Sequence, residues 1–509
     1  MSLHDLYVIS PYLSVAGIAI LVILLDLAIP KKGLLPAAAV LGLLAPLALS
    51  LLQLRDLSVS TQLLAEGSVL VGTLSVDRFA LFFNFLVLAS TGLVIIASSE
   101  YVGKMDRFRG EYFGLILFSA TGMMLLAAAT ELITIYISLE LITLPLAALA
   151  AFLMTARSTE AGMKFLIVGA MSSALMLYGM ALIFGFTGST TLEGIREGIA
   201  AAAASPAQPD LAFGSYAVLL GLVLMLVGFG FKISAVPFQM WAPDIYEGAP
   251  TPVVAFLSVA SKAAGFAILL RVLFTGFFDV SLEWGGLIAI LAAASMTVGN
   301  LAAIGQGDIK RLLGYSAIAQ AGYILVGVAA GIKGSGLGLD LPEYAPIGPS
   351  SVVFYLASYA AANLTAFFAI IAISNRVGSD RIDDYAGVAR RSPFLATALA
   401  LGLIALIGVP PTSIFIAKLY IFTAAVNSGL AWLAILGVIN SVVSAYYYIR
   451  VIRVMFLQPP SAPEDGGHIK APISSWFAVS LAGAALLWMG IAPGFILKLA
   501  ELASVPLAP

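Results

Sequence analysis

The chain has no cysteine and only two histidines among its 509 residues. Without thiolates it cannot make a disulfide, a cysteine-bound zinc site or a cysteine-ligated iron–sulfur cluster. His4 lies in the N-terminal tail and His468 in a polar stretch, so no two imidazoles can face each other inside an apolar bundle to hold a haem. Charge is scarce too. Asp, Glu, Lys and Arg make up 10% of the residues, against about 25% in soluble domains. The net charge of −2 offers no attraction for nucleic acid. The expectation is a chain that binds no cofactor and no metal.

What fills the sequence is hydrocarbon: 61% of residues are hydrophobic and the mean hydropathy is +1.05. About 20 apolar residues cross a bilayer as a helix. On that measure the sequence predicts an all-α integral membrane protein, a single membrane domain over 1–509, with fourteen transmembrane helices. They are 9–29, 34–54, 79–99, 112–130, 132–154, 160–187, 212–236, 251–274, 285–304, 309–332, 350–373, 393–424, 430–457 and 475–500. No basic stretch precedes the first run, which therefore reads as a retained span and not a cleaved signal. Residues 57–76 alternate, with Glu66-Gly67 midway, and predict a small hairpin outside the membrane. Residues 188–210 and 333–349 read as irregular connections, and the glycine-rich 334–340 has no strand before it to make a phosphate loop.

Lys and Arg orient the chain. With the N-terminus outside, the inner loops hold fifteen of them: Lys31, Lys32, Lys104, Arg107, Arg109, Arg157, Lys310, Arg311, Arg376, Arg381, Arg390, Arg391, Arg450, Arg453 and Lys470. The outer side holds five: Arg55, Arg78, Arg196, Lys333 and Lys498. Basic residues collect inside, so both termini are expected on the outer, periplasmic side.

Two spans are overlong and interrupted by proline. The seventh runs through Ser234-Ala235-Val236-Pro237 toward Tyr246, and the twelfth contains Gly408-Val409-Pro410-Pro411. They lie five spans apart, and an odd offset reverses orientation. Two inverted five-helix repeats follow: 111–275 (helices 4–8) and 284–458 (helices 9–13). Helices 1–3 occupy 1–110, and a loop with helix 14 occupies 459–509. Paired, Pro-broken helices at matching positions mark the working site of inverted-repeat transporters.

Buried charge marks the same places. Lys232 precedes the first break, Lys418 follows the second, and Lys262 and Glu140 sit near mid-span. Lysine, unlike arginine, can lose its charge when removed from water, so a row of such groups at mid-membrane suits proton transfer. The same residues could form only a structural ion pair between Glu140 and Lys232, but lysines outnumber acids at that depth. Lys164 fits either the row or a side chain reaching back to the interface. Arg271 and Glu131 read as interface-reaching ends. Tyr315, Gln320 and Asn363 could hold water along the row or simply join helices.

The stretch KISAVPFQMWAPDIYEGAPTPVVAFLSVASKAAGF, with YISLELITLPL, DIKRLLGYSAIAQAGY and LIGVPPTSIFIAKLY, resembles the antiporter-like membrane subunits of respiratory complex I. YEGAPTPV and Gln320, where the L and M subunits carry histidine, are most similar to the N-type subunit. The chain also ends after its fourteenth span, without the lateral helix of the L type. The resemblance implies a proton-pumping subunit of an NADH:quinone oxidoreductase. Glu140, Lys232, Lys262, Lys418 and Lys164 would form the relay, and Pro237, Pro410 and Pro411 the breaks. It implies flavin, iron–sulfur clusters and quinone in other subunits, partner membrane subunits of the M, K, J and L types, and a bacterial plasma membrane rather than a thylakoid. A stand-alone sodium/proton antiporter and a structural scaffold that pumps nothing are the rival readings.

Overall fold

The structure, a computed structural model, describes residues 3–29, 32–59, 68–70, 72–103, 107–203, 211–333, 343–459 and 472–508. The chain opens with α1 (Leu3–Ala28), α2 (Leu35–Gly42), α3 (Leu44–Val59), the strands β1 (Ser68–Leu70) and β2 (Leu74–Val76), and α4 (Arg78–Gly103). It continues through α5 (Arg109–Ala128), α6 (Leu132–Ala150), α7 (Ala156–Thr187), α8 (Leu192–Ala203), α9 (Leu211–Ile233) and α10 (Trp241–Gly248). Next come α11 (Thr251–Phe256), α12 (Lys262–Arg271), α13 (Ser281–Ile304), α14 (Ile309–Ala329), strands β3 (Ile332–Lys333) and β4 (Glu343–Tyr344), and α15 (Ile347–Val377). Short α16 (Val388–Arg391) leads to α17 (Pro393–Ile407), α18 (Ser413–Asn427), α19 (Ala431–Leu457), α20 (Ile473–Ile491) and α21 (Gly494–Ser504).

Thirteen helices among the described residues are long and apolar enough to cross a membrane. The expected twelfth span is not one of them, because it is split into the shorter apolar helices α17 and α18. The expected last span is also shorter. It stops at Ile491, and α21 starts afresh after Pro493. Residues 192–203 are helical where an irregular connection was expected, since an Ala-rich run satisfies its own backbone. The hairpin exists but turns at Gly72, in the left-handed region at φ 74°, five residues beyond the expected Glu66-Gly67, which lies outside the described residues. The glycine-rich 334–340 also lies outside them.

The helices start where side chains satisfy their free N–H groups. Glu131 accepts from Thr134 N at 3.0 Å, Thr155 from Ser158 N at 3.3 Å, and Asp308 from Lys310 N and Arg311 N at 2.9 and 3.0 Å. Loops then gather on two faces. Thr130 N–H bonds Thr73 O and Leu192 N–H bonds Thr130 O, which puts the hairpin, the α5–α6 turn and the start of α8 together. Ile309 N–H bonds Asp380 O on the opposite face, where Arg157, Lys310, Arg311 and Arg381 collect. We call these the hairpin face and the basic face.

At the centre, the segment Thr251–Gly276, α14 and α15 are buried on all sides. The outer helices, α1, α7, α13, α19 and α20 among them, bury one side and show large apolar side chains on the other, such as Leu27, Met171, Ile290, Val442 and Trp476. The core is therefore a rod of central helices inside a ring wetted by lipid.

Candidate functional site

Both proline breaks end a helix in the same way. At the first, Ser234 N–H bonds Phe231 O at 3.1 Å and Ala235 N–H bonds Gly230 O at 2.8 Å. At the second, Gly408 N–H bonds Ala405 O at 2.8 Å and Val409 N–H bonds Ile404 O at 3.4 Å. The turning residues, Ser234 (φ 63°) and Gly408 (φ 92°), are both left-handed. Each break takes carbonyls out of the regular helical ladder, and the two halves use them differently. The Trp241 indole donates to Phe231 O at 3.0 Å. The Lys418 ammonium donates to Ile407 O at 2.8 Å and Leu406 O at 3.4 Å.

The three mid-span lysines are buried, with Lys232 4%, Lys262 2% and Lys418 5% exposed. Lys232 donates to Thr143 Oγ1 at 3.1 Å. Lys262 donates to Ala317 O at 2.5 Å and faces the Tyr359 ring at 5.8 Å. Lys418 also donates to Ser441 Oγ at 3.0 Å and lies 4.3 Å from the centre of the Tyr323 ring. None of the three has a carboxylate oxygen within 4.0 Å among the described residues. Burying an unpaired charge costs several kcal/mol, and hydroxyls, carbonyls and tyrosine rings are the neighbours that offset it.

Glycines let the lysine stems pass. A Cβ on Gly265 would lie 3.2 Å from Lys232 Cγ, so α9 and α12 touch there, one turn beyond Lys262. A Cβ on Gly408 would lie 3.0 Å from Lys418 Cδ. Lys262 itself follows the first of two wider π-helical turns, Leu257–Ser261 and Val272–Gly276, a local irregularity common at working sites.

Polar side chains lie between Lys262 and Lys418. Ser316, beside Ala317, shares a hydrogen bond with the Tyr448 hydroxyl. One turn on, Gln320 accepts from Tyr355 OH at 2.6 Å and donates to Leu406 O at 3.0 Å, the carbonyl that Lys418 also reaches. Beyond Lys418, Ser441 donates to Tyr323 OH at 3.4 Å, and Asn300 joins Tyr323 at 3.3 Å and Tyr447 at 2.9 Å. Asn363 donates to Ser258 Oγ at 2.7 Å, one turn before Lys262. No side-chain hydrogen bond spans Lys232 and Lys262 among the described residues. Thr143, Ser441, Tyr323, Asn300 and the Leu406 carbonyl were not expected from the sequence. Thr143 alone left a signal there, one turn from Glu140 in LELITLPL.

The other singled-out residues fall elsewhere. Glu140 is half-buried on α6, between the exposed side chains of Ile137 (59% exposed) and Leu144 (53%). It forms no ion pair with Lys232 within 4.0 Å. Lys164 pairs with Glu160 at 2.7 Å and Asp244 at 2.9 Å. It belongs to a network on the basic face with Arg311, Glu247, Arg157 and Asp308. There, burial lifts the Asp308 carboxyl above its ordinary 3.8, against the pull of the Arg311 N–H and the Lys310 charge. Tyr315 is half-buried with the Arg311 guanidinium over its ring at 5.9 Å, away from the lysine row. Arg271 and Glu131 do not reach for the interface. Arg271 is 3% exposed and holds Asp77 through two hydrogen bonds of 2.8 and 3.0 Å, while Glu131 is 7% exposed and caps α6. The bare proximity of a charge to a span end does not distinguish snorkelling from burial against a partner.

No group of three or more His, Asp or Glu placed to hold a metal occurs among the described residues. Residues 129–444, which hold both breaks and all three lysines, match the family described as NADH:quinone oxidoreductase/Mrp antiporter, TM. NADH-quinone oxidoreductase subunit N of Trichlorobacter lovleyi is 40% identical over 501 residues, 98% of this chain and 96% of that protein. The chain belongs to the NADH-quinone oxidoreductase subunit N family. The subunit N of Dehalococcoides mccartyi is 44% identical over 469 residues, 90% of this chain and 92% of that one. Among solved structures, a chain of respiratory complex I from Thermus thermophilus with bound aureothin aligns with a TM-score of 0.76 and 32% identity, covering 96% of this chain and 99% of that one. A chain of the Mrp complex from Dietzia shares the fold, with a TM-score of 0.82 at 21% identity over 100% of this chain and 98% of that one. Subunit N membership makes this chain a multi-pass, proton-translocating membrane subunit of an NADH:quinone oxidoreductase.

Proposed function

We propose that this subunit N moves protons along Lys232, Lys262 and Lys418, with Glu140 as the switch that couples it to a neighbouring subunit. The observation that carries the reading is the burial of three lysines, at 4, 2 and 5% exposure, on neutral acceptors at or beside helix irregularities. A lysine without a contact carboxylate responds strongly to a negative charge brought near or taken away, because little water screens it. Moving a unit charge against about 100 mV costs about 2.3 kcal/mol, which is the size of effect such a site supplies. Protons are taken up from the inner side toward Lys262 and pass between the Lys232 and Lys418 sites.

Glu140 supports the coupling. A carboxylate cannot stay in lipid between Ile137 and Leu144, so this face of α6 meets another membrane subunit. The M, K, J and L types are the candidates, with flavin, iron–sulfur clusters and quinone in other subunits of the complex. Reading α17 and α18 as one broken crossing gives fourteen spans, and the two matching breaks then belong to inverted repeats over 111–275 and 284–458. The basic face becomes the inner side of a bacterial plasma membrane by its Lys and Arg, with both termini outside.

Replacing Lys232, Lys262 or Glu140 by Ala in the assembled complex tests the reading. Proton pumping, followed with a pH-sensitive dye in sealed vesicles, should fall, and quinone reduction should fall with it. A scaffold would keep both, and full pumping in all three variants refutes the relay.

A further inference from the structure

Asp77 and Arg271 take no part in the lysine row, yet they are 2% and 3% exposed and form the tightest buried ion pair described. Arg271 also donates to Ala127 O at 3.0 Å and stacks on the Phe79 ring at 5.0 Å. The pair lines a cavity of about 370 Å³ on the hairpin face, whose other walls include Ser75, Thr130, Thr191 and Glu193. On the membrane side of the pair, two polar groups are left over. Asn84 is fully buried, and the polar group that faces it is the hydroxyl of Tyr12, itself 2% exposed.

Buried polar side chains with only each other to face are rare in native proteins, and these lie in line. Asn84 is two turns below Asp77 on α4, roughly 10 Å deeper at 1.5 Å per residue. Arg271 stands nine residues above Lys262 on the central segment, roughly 14 Å by the same rise. Asn84 thus reaches to about one turn of the depth of Lys262, and α4 packs directly on the π-helical turn before Lys262 and on α12.

We propose that Asp77 and Arg271 form a gate between the hairpin-face cavity and Lys262, with Asn84 and Tyr12 as the polar lining below it. A fixed guanidinium repels an approaching proton, and Asp77, held on both oxygens, is withheld as an acceptor. The closed pair therefore keeps protons from running back through the first half of the chain while Lys262 is charged.

The proposal rests on the proton-carrying reading, and the test separates the two. Asp77→Asn/Arg271→Gln retains hydrogen-bonding groups without charge, and neutralising a buried pair together is far milder than removing one partner. In sealed vesicles holding the whole complex without electron donor, passive proton flux under an imposed pH gradient should rise about tenfold, as expected if the pair adds one tenfold step to the barrier. The gradient built per quinone reduced should fall. Adding Asn84→Leu should reverse both, and Arg271→Lys, whose ammonium can give up its charge, should leak more than the parent and less than the double variant. An assembled double variant with parental flux overturns the gate, as does a leak that Asn84→Leu leaves untouched. Failure of both the double variant and Arg271→Lys to assemble makes the pair purely structural and also overturns it. Loss of pumping in Lys262→Ala without any leak keeps the relay whatever becomes of the gate.

Discussion

Gly408→Ala isolates the second break. The residue sits at φ 92°, a backbone state that costs a residue with a Cβ about 1–2 kcal/mol. The new carbon would lie 3.0 Å from Lys418 Cδ and 3.6 Å from both Cε and Nζ. The stem cannot retreat while its nitrogen stays on Ile407 O at 2.8 Å and Ser441 Oγ at 3.0 Å. Relief therefore breaks at least one hydrogen bond to a charged group, worth about 1.5–3 kcal/mol. The two costs together reach roughly 3–5 kcal/mol, a large share of the 5–15 kcal/mol that holds a typical domain. At about 2 kcal/mol, the lost bond alone lowers occupancy of the Lys418 position by roughly thirtyfold. In assembled complex, the pumped gradient measured with a pH-sensitive dye should fall more than about tenfold, and the detergent-solubilised complex should unfold at a lower temperature. Parental pumping and parental Tm in Gly408→Ala would refute the placement of Lys418 over this glycine.

Four further outcomes follow from the same geometry. Ser234→Gly, at the matching left-handed position of the first break, should stabilise the complex by about 1 kcal/mol, seen as a raised Tm, because glycine adopts that conformation freely. Thr143→Val keeps the shape but removes the acceptor of the Lys232 hydrogen bond, so turnover in assembled complex should drop roughly tenfold for a loss of about 1.5 kcal/mol. Gly265→Ala, with its Cβ 3.0 Å from Ile233 Cγ2 and 3.2 Å from Lys232 Cγ, should cost about 1–3 kcal/mol through overpacking and slow pumping before it affects assembly. Asp77→Ala alone strands the Arg271 charge in the interior and should destabilise by about 3–5 kcal/mol, read as poor assembly or a lower Tm, far more than the neutral double replacement.

Hydropathy and proline placement made most of the helices legible, since length and breaks are local properties of the chain. The split of the twelfth span was visible in GVPP, and so was the charge of Lys232, Lys262 and Lys418. Their surroundings were not. Ser441 and Asn300 lie 23 and 118 residues from Lys418 in sequence, yet one bonds its ammonium and the other the tyrosine beside it. Arg271 illustrates the same limit from the other side: its partner Asp77 is 194 residues away, so nothing nearby announced a buried pair.

By itself, the sequence determined that this is a multi-pass helical membrane protein without cysteine, because composition and the 20-residue apolar run are sufficient causes of that state. It also determined the family, through the stretch around the first break. Only the tertiary structure decided that the lysines rest on hydroxyls and freed carbonyls instead of on carboxylates, that Glu140 faces outward, and that Lys164 is tied into the basic face. The physical reason is that a buried charge takes its meaning from whatever neighbours exclude or replace water, and helix packing alone chooses those neighbours.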